Sequence, residues 1–297
     1  MVYNYTIRYQ SKNTYENPVS EATWQFLVTP EDNETQEVVS AHFFTSVNAR
    51  IEDSINGYGF KTNRIYCKTP FDEIKFTAII KVYKHKVNPF DFNLNLSNLE
   101  DYEKIDDISF KVLYEPFLKS TRLTYLKIDP TSLFLFDRDD TIFDNLVALN
   151  IWVYKFIKFQ SGVTNVDSNL DEILKIKKGV CQDFSHLFCA LARANGIPTR
   201  YVSGYLHQGE GFMGDSVMHA WVESFIPSLG WVGFDPTNQL MVNEHHIKVA
   251  HGKDYKDCPP IKGVVYSTGK NYTEYSVAVS HDFEAQLHEQ QQQQQQQ

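Results

Sequence analysis

The sequence predicts an α+β protein in which an antiparallel β domain precedes a domain of mixed helices and sheet. Apolar and polar residues alternate along several segments of the first third, which is typical of half-buried strands. A helical period with a clear stop signal covers residues 181–195, and two segments flanking Pro227 predict a β-hairpin. The chain has 297 residues and can fill one large core or two modest ones.

Residues 1–110 form the predicted N-terminal β-rich domain. The dipeptide Asn56-Gly57 is a tight-turn signal between two of its segments. We expect an antiparallel β-sandwich, and we favour a scaffold role over substrate positioning because a fold alone does not assign a function. The alternating apolar residues are Tyr3, Tyr5, Ile7 and Tyr9, then Trp24, Phe26 and Val28, and later Phe76, Ala78, Ile80 and Val82.

A polar segment from Asn93 to Asp107 is the predicted linker, because Asn, Asp and Glu separate isolated apolar residues there. Beyond it we expect a long buried helix. A shorter helix is expected to start at Ser168, with Asp171 completing a weaker relative of the capping box, and to end at Gly179. The apolar residues of the long helix are Ile142, Phe143, Leu146, Val147, Leu149, Val153 and Phe156.

The next helix is predicted from Cys181 to Asn195. Its apolar residues recur at i, i+3, i+4 and i+7, and Gly196 and Pro198 stop it. Cys181 therefore lies in the first turn, where unpaired backbone N–H groups favour an anion such as a thiolate. The apolar stripe consists of Phe184, Leu187, Phe188 and Leu191.

The predicted hairpin runs from His219 to Asp235. Its turn spans 226–230, and Pro236 ends the pairing because proline has no N–H to donate. His219 and Asp235 each lie eight residues from Pro227, so antiparallel pairing brings them nearly opposite one another. Opposed Cβ atoms are about 4.5 to 5.5 Å apart and diagonal ones about 7 to 8 Å, so the carboxylate can accept the imidazole N–H.

Cys181, His219 and Asp235 each have an ordinary structural explanation: a buried cysteine, a strand histidine and a turn aspartate before proline. Together they provide a nucleophile, a base and an acid that orients the base. His186 and Asp183 lie about 140° and 200° around the helix from Cys181, so the base must come from elsewhere. The combination favours a thiol enzyme.

Three segments carry a family resemblance: GVCQDFSHLFCALARANGIPTRYVSGYL, HAWVESFIPSLGWVGFDPTN and HIKVAHGKDYKDCPPIKGVV. The chain resembles the bacterial transglutaminase-like proteins, which are often described as candidate cysteine proteases. The resemblance implies a papain-like or transglutaminase-like core over 111–285, with Cys181 as nucleophile, His219 as base and Asp235 as orienting acid. Residues 286–297 are predicted to be a disordered poly-Gln tail.

The expected reaction is attack on an amide bond of a peptide or protein substrate through a thioester. We favour a peptidase or amidase, because no second group of residues is devoted to holding an acceptor lysine. The alternatives are a cross-linking transglutaminase, which uses the same residues, and a catalytically silent interaction module of the same fold. The sequence leaves the oligomeric state open, and no cofactor is expected.

Composition narrows the partners further. The net charge of −9 and the lack of a basic stripe argue against nucleic acid. No apolar run could span a membrane and the amino end lacks signal-peptide features, so we expect a cytoplasmic protein without a membrane partner. No metal is expected, because one set of candidate ligands lacks compact zinc spacing. These candidates are His245, His246, His251 and Cys258.

Overall fold

The computed structural model describes residues 2–90, 98–207 and 217–281. The predicted poly-Gln tail and part of the predicted linker lie outside these ranges. The helices are α1 Asn98–Asp106, α2 Ile108–Leu113, α3 Glu115–Leu118, α4 Ile142–Phe156, α5 Leu170–Ile176 and α6 Cys181–Ala194, with 3-10 turns at Pro130–Ser132 and Tyr255–Asp257. None of the helices in the described ranges is long and apolar enough to cross a membrane.

The strands confirm the predicted α+β class. They are β1 Val2–Val19, β2 Glu21–Phe26, β3 Gln36–Thr45, β4 Arg50–Ile55, β5 Lys61–Cys67, β6 Phe71–His85, β7 Lys158–Phe159, β8 Lys178–Gly179, β9 Thr199–Leu206, β10 His219–Ile226, β11 Gly230–Asp235, β12 Leu240–Met241, β13 His246–Gly252, β14 Ile261–Tyr266 and β15 Asn271–His281.

Two four-stranded antiparallel sheets form the N-terminal β-rich region. Their strand orders are β15-β1-β6-β3 and β14-β2-β5-β4. Phe26 of one sheet stacks on Phe76 of the other with ring centroids 3.9 Å apart, and Tyr9 contacts both rings edge-on. The alternating apolar residues of these strands are buried in one core that the two sheets share. The two-residue period of the sequence therefore corresponds to the buried face of each sheet.

The last two strands complete these N-terminal sheets. β15 pairs with β1 and β14 pairs with β2, both antiparallel. The domain limits 1–110 and 111–285 remain predictions. The sheets do not follow these limits, because strands within residues 261–281 of the second domain pair with strands of the first. The helices and the five-stranded sheet are thus inserted between strands of one β-sandwich.

The third sheet has the order β12-β11-β10-β9-β13, with every pairing antiparallel. Helix α6 packs against β9 and β10 and is buried over nearly its whole length. The helix and the hairpin therefore form where the sequence predicted them. The helix ends at Ala194, and Gly196 beyond it has φ 81°, the left-handed conformation that glycine adopts readily.

Two of the smaller predictions are wrong. The linker over 93–107 contains helix α1, in which Tyr102 and Ile105 are buried. The shorter helix is capped one residue later than expected, since Asn169 rather than Ser168 accepts the N–H of Glu172 at 3.1 Å, and the helix begins at Leu170. It also ends at Ile176, before Gly179. Short polar helices carry little periodic signal, so tertiary packing decided both.

Polar contacts join the β-sandwich to the third sheet. The buried Gln36 donates to the carbonyl of Lys248 at 2.7 Å and accepts the Lys248 N–H at 3.0 Å, so it pairs with β13 as a strand would. The Lys248 ammonium lies 3.2 Å from Glu31 and 2.8 Å from Glu223, which also pairs with Arg200. The side chain of Gln36 thereby fixes β13 against the N-terminal domain.

Gly204→Ala should destabilise the fold. A Cβ at Gly204 would lie 2.3 Å from the carbonyl oxygen of Ile247 and 2.4 Å from the Trp221 ring, so a strand or a buried indole must shift. We expect a loss of about 1 to 3 kcal/mol in the free energy of unfolding, measured by denaturant titration. Gly57→Ala is the matched control, because nothing lies within 4 Å of its added Cβ. Equal stability of the two variants would contradict this packing.

Candidate active site

The start of α6 places Cys181 at the first helical position. The preceding residue, Val180, has no polar side chain for capping, and its N–H instead donates to the Asp183 carboxylate at 2.8 Å. The hydroxyl of Thr164 donates to the same oxygen at 2.7 Å. A Cβ at Gly179 would lie 2.5 Å from that oxygen, so glycine is needed for the close approach. Asp183 therefore holds the helix start rather than acting on the thiol.

Cys181 differs from the other three cysteines in its exposure. It is partly exposed, whereas Cys67, Cys189 and Cys258 are buried. Burial raises the pKa of Cys189 to about 11 and raises that of Cys258 well above its ordinary value. These two thiols are therefore held protonated as well as shielded.

His186, which the helix geometry excluded as the base, binds elsewhere. Its Nε2 accepts the backbone N–H of Tyr255 at 3.2 Å, and burial lowers its pKa to about 3. The imidazole is thus a neutral acceptor inside the core. Its contact agrees with the prediction that Cys181 must find its base on another element.

His219 and Asp235 lie in direct hydrogen-bond contact, as the hairpin spacing predicted. Nε2 of His219 is 2.8 Å from Oδ2 of Asp235, and neither side chain is exposed to solvent. The register pairs Val222 with Phe234. Asp235 is therefore offset by two residues from the position directly opposite His219, and the two residues face each other diagonally. The long reach of the imidazole closes this diagonal.

The electrostatic environment of His219 favours its charged form. Burial by itself lowers the pKa of His219, but attraction and hydrogen bonding to Asp235 together with the nearby Cys181 raise it well above its ordinary value. Nδ1 makes no conventional hydrogen bond to any residue in the described ranges. Cys181 is near enough to act electrostatically on this ring.

Asp235 accepts hydrogen bonds from both sides. Its Oδ1 receives the backbone N–H groups of Thr237 at 3.0 Å and Asn238 at 3.3 Å. Its Oδ2 receives the Asn238 amide at 2.8 Å and lies 3.2 Å from Nε2 of His246, besides the contact with His219. Although burial opposes ionisation, His219 and then His246 hold the Asp235 pKa well below its usual range.

Sequence reasoning missed Asn238 and His246. Asn238 follows Asp235 within one turn, and an Asx-type contact is the signal that could have suggested it. The sequence singles out His246 only as one of four candidate zinc ligands. It lies on β13, which reaches β10 through the intervening β9, so no local pattern connects it to Asp235.

Within the described ranges, one group of potential metal ligands has its ligand atoms within 4.8 Å of one another: His219, Asp235 and His246. Hydrogen bonds of 2.8 and 3.2 Å account for this spacing without an ion. A metal bound there would also remove both imidazoles from their contacts with Asp235. The prediction that the protein needs no metal stays a prediction.

A cavity of about 670 Å³ lies beside this cluster. Its lining includes Phe159 and Phe184 as apolar surfaces and Thr237 and Asn238 as polar ones. Thr237 and Asn238 are the residues whose N–H groups donate to Asp235, and Phe184 lies one turn beyond Cys181 on α6. Cys181, His219 and Asp235 are not among the residues that line this cavity, so it borders the segment after Asp235 without reaching the thiol.

Comparison with known families agrees with this geometry. The profile of the Transglutaminase-like superfamily matches residues 135–236, and that of the Bacterial transglutaminase-like N-terminal region matches residues 5–83. The chain belongs to the transglutaminase-like superfamily, which confirms the resemblance found in its sequence. An uncharacterized protein of Mycobacterium leprae is 30% identical over 272 residues, which cover 89% of this chain and 93% of that protein.

Two further relatives add detail. The protein-glutamine gamma-glutamyltransferase of Pseudomonas aeruginosa is 32% identical over 83 residues, which cover 26% of this chain and 12% of that protein. A crystal structure from Cytophaga hutchinsonii, described as a candidate cysteine protease, aligns with a TM-score of 0.74 and 21% identity over 95% of this chain and 91% of that one. This last likeness confirms the fold.

Cys181 should be the cysteine that iodoacetamide labels first at about pH 6, because it combines partial exposure, a helix start and a neighbouring imidazole. Brief treatment followed by peptide mapping measures the order of labelling. Cys189 is the internal control, since it lies on the same helix but is buried with a raised pKa. Faster labelling of Cys67, Cys189 or Cys258 would refute the assignment of Cys181 as the nucleophile.

Proposed function

We propose that this protein is a thiol enzyme that acts on amide bonds through a thioester, with Cys181 as nucleophile, His219 as base and Asp235 as orienting acid. The observation that carries the proposal is the buried 2.8 Å contact between His219 and Asp235 beside a partly exposed cysteine at a helix start. A buried carboxylate fixes the tautomer and orientation of an imidazole, which a proton-transferring base requires.

The proposed reaction has two halves. The Cys181 sulfur forms a bond to the amide carbon while the carbonyl electron pair moves to oxygen. His219 then gives a proton to the leaving amine as the carbon–nitrogen bond breaks, which leaves a thioester on Cys181. In the second half, water attacks the thioester carbon, His219 takes the proton of the water, and the carbon–sulfur bond breaks to return the thiolate.

The developing oxyanion needs hydrogen-bond donors. The backbone N–H of Cys181 is our proposed donor, because it lies in the first turn of α6, where N–H groups have no partner within the helix. The same helix end favours the negative charge of the thiolate before attack. One structural feature thus serves both the nucleophile and the intermediate.

We propose hydrolysis, as in a peptidase or amidase, as the main outcome, because two aromatic residues that could line an acceptor channel are already engaged. Trp221 is 1% exposed, and the Arg200 guanidinium stacks on Trp231 at 4.1 Å from the ring centre. Cross-linking remains the second candidate, since the Pseudomonas relative is named a glutamyltransferase. A silent interaction module is disfavoured because Cys181, His219 and Asp235 are all retained.

The proposed partner is a peptide or protein substrate without a cofactor. The net charge of −9 disfavours a polyanionic partner such as nucleic acid, and we propose a cytoplasmic, reducing environment because the mechanism needs a free thiol. Suitable acyl-donor peptides can be selected from a diverse library by covalent trapping on Cys181.

Asp235→Asn should reduce turnover of such a peptide by orders of magnitude, because an amide stabilises the wrong imidazole tautomer. The comparable change in a serine protease costs about 10⁴ in turnover. The measurement is kcat from product formation, with circular dichroism to establish that the fold persists. Turnover within a few-fold of the parent would show that Asp235 does not orient His219.

The thioester on Cys181 should react with water faster than with an added amine. An acyl-donor peptide is offered with millimolar hydroxylamine or a lysine analogue, and acid and amine products are separated by mass. We expect mainly the acid, because Cys181 is partly exposed and its thioester meets water at about 55 M, whereas the added amine is only millimolar. A product that is mainly the amine adduct would contradict hydrolysis and indicate transglutaminase activity. The control variant Cys181→Ala should form neither product.

A further inference from the structure

His246 is a second imidazole on the same carboxylate that contacts His219. It is the first residue of β13, 1% exposed, and its Nε2 lies 3.2 Å from Oδ2 of Asp235. Nε2 of His219 approaches that oxygen from another direction at 2.8 Å. Family resemblance and hairpin spacing account for His219 and Asp235, but neither assigns a role to His246.

The contact with Asp235 places a proton on Nε2 of His246. Oδ2 of Asp235 belongs to an ionised carboxylate, which only accepts, so Nε2 of His246 carries the donated proton. Nδ1 lies 3.3 Å from the backbone N–H of Asn243, which it can accept, and 3.0 Å from the side-chain Oδ1 of the same residue. Burial lowers the pKa of His246 despite the opposing effect of Asp235, which favours a neutral ring that donates from Nε2.

Both imidazoles are packed against one indole. The Trp221 ring lies edge-on to His246 with centroids 5.3 Å apart and is tilted towards His219 at 6.1 Å. Because a Cβ at Gly204 would collide with Trp221, the indole lies against the bare backbone of β9. The three rings and Asp235 therefore form one buried unit whose members have little freedom to turn.

We propose that His246 is a positioning residue, which holds the Asp235 carboxylate so that Oδ2 points at Nε2 of His219. The backbone donors of Thr237 and Asn238 fix Oδ1, but Oδ2 needs donors of its own to resist rotation about the carboxylate. His246 supplies one of them from a different strand. This role rests on the proposed function, in which the orientation of His219 controls the thiolate.

Among the described residues, few charged groups act on this unit. Asp235, His219 and Lys84 act electrostatically on His246, and Asp235 and Cys181 act on His219. Lys84 is itself buried, and burial lowers its pKa to about 8. Its hydrogen bonds go to Thr35 and Gln36, both neutral. With His246 neutral, a substitution there removes its contacts with Asp235 and Asn243 rather than a salt bridge.

The test compares His246→Gln with His246→Met, which are similar in length, although only the glutamine can donate to Oδ2. The readout is the rate of iodoacetamide labelling of Cys181 between about pH 5 and 9, which needs no substrate. We expect His246→Met to slow labelling at pH 6 about tenfold or more and to shift the profile to higher pH, the effect of losing one donor to a charged group. His246→Gln should stay within about threefold of the parent.

A double-mutant cycle separates positioning from packing. If His246 acts through Asp235, then His246→Met should add less than about twofold to the effect of Asp235→Asn. His251→Gln is the matched control, because His251 is another histidine of β13 that contacts Arg200 rather than Asp235. Cys181 in the His251→Gln variant should be labelled at the same rate as in the parent protein.

The outcomes are distinct. Equal rates for the Gln and Met variants, or a full effect of His246→Met in the Asp235→Asn background, would overturn the role of His246 alone. A parent protein whose Cys181 is not labelled preferentially at pH 6 would overturn the proposed function and this inference with it. Should His246→Met not fold, nitrogen NMR of the parent still decides, since a His246 protonated at Nδ1 rather than Nε2 would contradict the donated hydrogen bond.

Discussion

The buried carboxylate of Asp235 is the constraint on which the arrangement of the site depends. An ionised carboxylate without partners in a protein interior costs several kcal/mol or more, so its donors must be in place in the folded state. Those donors come from β10 through His219, from the segment after β11 through Thr237 and Asn238, and from β13 through His246. Folding of the sheet and assembly of the site are therefore one event.

The N-terminal sandwich supports this event from outside the sheet. Gln36 makes two backbone hydrogen bonds to Lys248, two residues beyond His246, and so holds β13 in place. Glu223, Lys248 and Arg200 are largely buried where the two parts meet, and each charge has a partner. Ion pairs of this kind add little net stability, but they specify one arrangement, because any misalignment leaves a charge unpaired. The scaffold role expected for the N-terminal domain thus includes the placement of β13.

Local patterns predicted the parts of the molecule that are governed by local physics. The 3.6-residue period and the Gly196 stop predicted α6, and the spacing around Pro227 predicted the contact between His219 and Asp235. The segment around Tyr102 was mistaken for a linker because its helix is short and polar on the outside, and its burial depends on distant partners such as Ser228, which bonds to Asp101. Such contacts leave no periodic trace in a sequence.

The sequence by itself determined the residues on which the proposed chemistry rests, namely a cysteine at a helix start and a histidine and an aspartate across a hairpin. It also determined membership of the superfamily, which is recognisable from residues near them. Tertiary structure decided that residues 261–281 complete the N-terminal sheets and that His246 shares the carboxylate of Asp235. The physical reason is the separation along the chain over which each interaction acts. Helix periods and hairpin registers act between residues close in the chain, whereas strand order and the donors to a buried charge depend on segments that meet only when the whole fold closes.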